Sequence, residues 1–152
     1  MQVPLSAADG ATGKMTAAWT PAADMRVARA TAAAASPLIG PWAGLVVVAG
    51  GQTGAGGKVT GSVELYDPAA DSWVDGPSLL VPRQGHVMWA EPDGSVVVAG
   101  GRDAAGAYLS SCERLDAGPG TAKTSRWLPA GDLPKARFRA AAVCVPAAAL
   151  VS

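Results

Sequence analysis

Arg29, Arg83 and Arg137 stand 54 residues apart (83 − 29 and 137 − 83). A guanidinium presents a rigid fork of donors that grips a carboxylate or a phosphate at two points. Set at the same place in successive repeats, three such forks would form an arc along one face and hold an acidic partner. Arg102 is a fourth candidate for that surface. A second reading keeps these side chains inside, each satisfying backbone carbonyls or neutralising a glutamate of a neighbouring repeat. Glu64 and Glu113 occupy matched places in the chain, and a buried carboxylate requires such a counter-charge. The pairings expected on that reading are Glu64 with Arg83 or Glu113 with Arg137.

Other reactive types are sparse. His86 is the only histidine. An imidazole can act as a general base, but no Ser or Cys nucleophile is set beside it by sequence. On the apolar stretch leading to Met88-Trp89 it reads as a packed, hydrogen-bonded side chain. One His with the distant Cys112 and Cys144 makes no zinc set. The cysteines are expected as small buried thiols, with a disulfide as the other reading. Gly51–Lys58 has the look of a phosphate loop, yet a P-loop needs Ser or Thr after its Lys and a helix behind it, and here Val59 follows Lys58. A flexible connection between strands is expected there, and the Rossmann glycine fingerprint fails for want of a strand–helix unit. Asp67, Asp71, Asp75 and Asp116 fall near turn signals, where carboxylates cap backbone N–H groups. These residues point to no cofactor, no metal and no catalytic constellation.

The elements that must position them follow from two near-identical stretches, Leu45–Gly51 and Ser95–Gly101. A short Val-rich run bounded by Gly reads as a strand buried on both faces. The pairs Gly50-Gly51 and Gly100-Gly101 end it, since Gly enters positive φ or allows close backbone approach without steric cost. Trp19, Trp73 and Trp127 repeat the interval of the arginines (73 − 19 and 127 − 73 both give 54). A repeat protein is therefore expected. Each unit would open on a first strand: Ala30–Ser36, Gln84–Ala90 and Phe138–Val145. A turn (Pro37–Gly44 or Glu91–Gly94), the Val strand and a Gly-rich loop (Gln52–Thr60 or Arg102–Ala107) follow. A third strand (Ser62–Asp67 or Ser110–Asp116) and a short fourth one around the Trp complete the unit.

Four short strands per unit, with no helical period between them, is the pattern of a propeller blade. Arg29, Gly50-Gly51, Tyr66-Asp67 and Trp73 in one copy, and Arg83, His86, Gly100-Gly101, Asp116 and Trp127 in the next, resemble the kelch repeat. Leu115 stands where that repeat places Tyr. The resemblance implies an all-β fold of four-stranded antiparallel kelch-type blades in an incomplete β-propeller. Residues 1–18 would be a flexible N-terminal segment, 19–75 an outer strand plus the first blade, 76–129 the second blade, and 130–152 the first strand of a third, truncated blade. It also implies a non-catalytic module, a piece of a larger propeller, that binds another protein through the loops between strands. Arg29, Arg83, Arg102 and Arg137 are its candidate partner-binding residues. The competing expectation is part of a kelch-type propeller enzyme, resembling galactose oxidases or sialic-acid epimerases, with its catalytic residues outside this chain. A third is an inactive copy with no selected function. Two blades leave apolar faces and strand edges uncovered, so self-association through them is expected as well.

Twelve Lys+Arg against twelve Asp+Glu give a formal net charge of zero, which speaks against steering toward nucleic acid or an anionic membrane. A single Phe leaves the core to Val, Leu and the five Trp. Ala30–Gly51 is uncharged and long enough to span a bilayer, but Pro37, Gly40, Pro41 and Gly44 interrupt it. Met1–Ser6 shows neither the charged nor the apolar region of a signal peptide. A soluble chain is expected, with a cytoplasmic location favoured.

Overall fold

Valine, branched at Cβ, packs best on an extended backbone, and both Val runs form strands. The computed structural model describes residues 20–116 and 125–142, with eleven strands and no helix among them. Trp19, the 1–18 segment and Cys144 lie outside the described residues. One antiparallel sheet has the order β2 (Ala33–Ala35), β3 (Val46–Ala49), β6 (Val63–Asp67) and β7 (Ser72–Gly76). A second repeats it with β8 (Val87–Ala90), β9 (Val96–Ala99), β10 (Ser111–Asp116) and β11 (Arg126–Asp132). A third, small sheet joins β1 (Arg29–Ala30), β4 (Gln52–Thr53) and β5 (Lys58–Val59).

Strand register decides which side chains meet. Val47 lies opposite Leu65, and Leu65 opposite Val74, so these three share a face. In the second sheet Val96 pairs with Leu115, and Leu115 with Trp127. Val47, Ala49, Val63 and Leu65 pack with Met88, Val96, Val98, Leu115 and Trp127 into one core between the two sheets. The turn before β3 adds Trp42, which is fully buried there. Removing this much apolar surface from water is the main force joining the sheets.

The diglycines do two jobs. Gly50 and Gly100 sit at φ 63° and 67°, which ends the extended backbone. A Cβ on Gly50 would come within 2.5 Å of the Arg83 carbonyl oxygen, and one on Gly100 within 2.7 Å of the Arg137 carbonyl. Each pair thus admits the next inter-sheet connection against its own backbone.

Several boundaries differ from expectation. The first strands begin at Ala33 and Val87, because Thr31 and Gly85 are left-handed, at φ 55° and 58°. Arg139 takes the same conformation at φ 53°, and residues 138–142 form no strand; the rest of Phe138–Val145 lies outside the described residues. Gln52–Thr60 is not a plain loop but the β4–β5 hairpin. The β9 Val run is buried throughout, as expected, whereas in β3 only Val47 and Ala49 are. Val46 and Val48 lie on the opposite face, with Glu64 and Tyr66, outside the core shared by the two sheets.

Candidate functional site

The side chain of Arg83 is 0% exposed. Its Nη1 donates to the carbonyls of Gly100 and Ser111 at 2.8 Å each, and its Nη2 to Glu113 Oε1 at 2.8 Å. The Glu113 carboxylate also accepts the backbone N–H groups of Leu80 (2.7 Å) and Val81 (2.9 Å). The set recurs around Arg29, which reaches Gly50 O at 2.9 Å, Ser62 O at 3.0 Å and Glu64 Oε1 at 2.5 Å. Glu64 in turn accepts from the N–H groups of Arg26 (2.7 Å) and Val27 (3.3 Å). A buried ion pair holds when hydrogen bonds complete the charges, and here each carboxylate takes one guanidinium N–H and two backbone N–H donors.

The expected pairings Glu64–Arg83 and Glu113–Arg137 are therefore corrected to Arg29–Glu64 and Arg83–Glu113. Alternation along the strand is the reason. Glu64 lies between Val63 and Leu65, which face the second sheet, so its carboxylate projects to the opposite side, away from Arg83. Each arginine serves the glutamate of the sheet that follows it in sequence. Arg29 and Arg83 consequently offer nothing to a partner, which corrects their place in an exposed arc. Arg102 and Arg137 are exposed.

His86 packs between the diglycines: a Cβ on Gly50 would lie 2.8 Å from its Cε1, and one on Gly101 3.0 Å from its Cβ. It is buried as expected. Burial, and after it the nearby Arg83 cation, push its pKa down to about 4. The imidazole is thus neutral near pH 7 and enclosed. Cys112 is a free, buried thiol rather than half of a disulfide, and burial pushes its pKa up.

Repeat landmarks act in pairs. Trp73 Nε1 donates to Ala23 O and Trp127 Nε1 to Pro77 O, both at 2.8 Å. Tyr66 stacks on Trp73 with centroids 4.9 Å apart and donates its hydroxyl to Asp71 at 2.6 Å. The Ala23 N–H and, after it, that bond hold the Asp71 carboxyl below the usual carboxylate range. Asp67 accepts from Ala69 N–H as the turn reading expects, while Asp75 instead pairs with Arg26 at the surface. Leu115, in the place of Tyr66, is fully buried.

What the sequence reading missed is an exposed cluster beside Arg102. Tyr108 is 63% exposed and stacks on Phe138 with centroids 5.8 Å apart. The Arg139 guanidinium lies 5.2 Å from the centre of the Phe138 ring. One signal was available: Lys135, Arg137 and Arg139 alternate through a stretch without acids that holds the only Phe. No helix among the described residues is long and apolar enough to cross a membrane.

Residues 42–80 match the family described as Kelch motif. No curated protein matches the chain. The fold is similar to the solved structure of YjhT, with TM-score 0.64 and 20% identity, covering 78% of this chain. The chain spans 42% of the length of YjhT. A diglycine-ended Val strand, the Tyr66–Trp73 pair and the four-strand order agree with the Kelch motif match, which covers β3, β6 and β7; the two described four-stranded sheets have the architecture of propeller blades.

Proposed function

We propose that the chain is a non-catalytic scaffold that binds another protein through the loop face around Arg102 and Tyr108, as part of a larger propeller. One contrast carries the reading. Arg29, Arg83, Glu64, Glu113 and His86 are spent inside the blades, whereas Arg102 and Tyr108 stand exposed on a short, internally bonded hairpin. Asp103 stiffens that hairpin by accepting the Ala107 N–H at 2.8 Å and giving its own N–H to the Ala107 carbonyl at 3.0 Å. Exposed Arg and Tyr on a rigid support are the groups that dominate protein interfaces. A partner surface with carboxylates would complement Arg102 and Arg139. The larger-propeller half of the proposal is supported by the chain covering less than half of YjhT.

A photo-crosslinking residue in place of Ala104 tests the binding half. It is expected to trap one discrete protein, with Arg102→Ala and Tyr108→Ala each lowering the yield at least tenfold while the circular dichroism stays unchanged. Equal yields from both folded variants would overturn the reading.

A further inference from the structure

We propose that Arg137 is the docking socket for the third-strand glutamate of a following blade, supplied by an extension of the polypeptide and not by a second copy of the chain. The proposal rests on the larger-propeller half of the reading above and is independent of what the loops bind. The molecule contains two completed examples of the same device, Arg29–Glu64 and Arg83–Glu113.

The backbone half of a third example is already in place. Gly51 N–H donates to Arg83 O at 2.8 Å, and Gly101 N–H to Arg137 O at 2.7 Å. Arg83 N–H donates to Thr60 O at 3.3 Å, and Arg137 N–H to Leu109 O at 3.2 Å. Leu79 reaches Gly61 O and Leu133 reaches Ser110 O, both at 2.8 Å. Gly85 N–H meets Thr31 O at 2.9 Å, and Arg139 N–H meets Gly85 O at 2.8 Å. Residues 133–139 thus hold the second blade as residues 79–85 hold the first. The side chain differs: Arg137 is exposed, and among the described residues its guanidinium has one long contact, 3.5 Å to the carbonyl of Ala136.

Val97 and Cys112 occupy the register positions of Val47 and Val63, which the second blade covers on the first; both are already buried in this chain, so a following blade has to fit over what covers them. Two departures set the terms. Arg114 stands in the place of Leu65, so its aliphatic stem must lie across the contact. Pro134 has no N–H where Leu80 donates one, so the incoming carboxylate takes Arg137 and the Lys135 N–H only.

A second copy does not qualify. Its Glu64 and Glu113 side chains are 2% and 3% exposed and already hold their own arginines. Its own Arg29 connection would also need the place that residues 133–139 fill. The fitting blade carries a third-strand glutamate and takes its arginine from this chain.

The test appends a second copy of residues 99–152 after Ser152, which puts a glutamate the same 30 residues beyond Arg137 that separate Arg83 from Glu113. Slowly exchanging arginine side-chain N–H signals in NMR, and urea midpoints, are compared with those of the 152-residue chain. The expected result is one additional protected guanidinium, lost with Arg137→Ala or when the appended glutamate is replaced by Gln. Arg137→Ala should lower the midpoint of the extended chain and leave that of the original chain unchanged. New protected amides in the appended blade without a protected Arg137 would overturn the socket and leave the larger ring standing. No ordered appended blade would overturn both. Self-association of the original chain in sedimentation, abolished by Arg137→Ala, would overturn the exclusion of a second copy.

Discussion

An arginine taken fully out of water is tolerable only because every charge it meets is matched, so its partners are individually indispensable. Arg83→Ala leaves the Glu113 carboxylate buried with backbone N–H donors alone. Its loss is expected to cost about 3–5 kcal/mol, read as a fall in the urea midpoint. The double variant Arg83→Ala with Glu113→Ala should cost less than the sum of the singles, because it strands no charge; additive losses would contradict the pairing. His86 gives the opposite kind of dependence. Unfolded, its imidazole titrates near 6.5, and folded at about 4. The fold therefore favours the neutral form. That contribution is whole above pH 6.5 and shrinks as pH falls from 6.5 toward 4, by about 1.4 kcal/mol per pH unit at most. His86→Leu should flatten the stability profile in that window, measured by urea melts at pH 7, 5.5 and 4.5. Asp71 and Asp93, both held below the usual carboxylate range by hydrogen bonds, act at lower pH and do not mimic it. A profile equally steep in the variant would remove His86 as the cause.

At the level of strands and turns, two substitutions separate space from strain. Gly50→Ala places a methyl 2.5 Å from the Arg83 carbonyl and keeps φ 63°, so the connection carrying Arg83 must move. Gly44→Ala at φ 80° meets nothing within 4 Å and carries only conformational strain. The first is expected to cost several kcal/mol and the second about 1 kcal/mol, as differences in melting temperature; equal losses would mean that the close approach at Gly50 is soft. Thr31 is the converse case, a β-branched residue at φ 55° where the next unit uses Gly85. Thr31→Gly is expected to be neutral or to raise the melting temperature. These elements also show what the sequence made legible. The Val runs, diglycines and Trp spacing gave both sheets and their strand order, because burial on a pleated surface and chain reversal leave period-two and glycine signals. The ion pairs were misassigned, because sheet facing depends on strand parity that spacing alone does not reveal: Glu64 lies one residue from Leu65 yet points the other way. The β4–β5 hairpin leaves almost no pattern, since two-residue strands have no periodicity to read, and the Tyr108–Phe138–Arg139 cluster leaves only the basic alternation of Lys135, Arg137 and Arg139.

For the molecule as a whole, the decisive feature is that neither blade has a core of its own. Trp42, Val47, Val63 and Leu65 of the first bury themselves against Val96, Val98, Leu115 and Trp127 of the second. In repeat architectures the stability of a unit is its intrinsic term plus the interfaces with its neighbours, and here a single interface among the described residues serves both. Loss of packing in one blade must then be felt equally in the other. Leu115 is fully buried at that interface, so Leu115→Ala is expected to cost about 2–5 kcal/mol. The informative reading is where the loss appears. Native-state hydrogen exchange should show the β3 amides Val47 and Ala49 accelerating by the same factor as the β9 amides Val96 and Val98, although the substitution lies in the second blade. Acceleration confined to the second blade would mean that the first folds alone, and that the shared core does not hold the pair together.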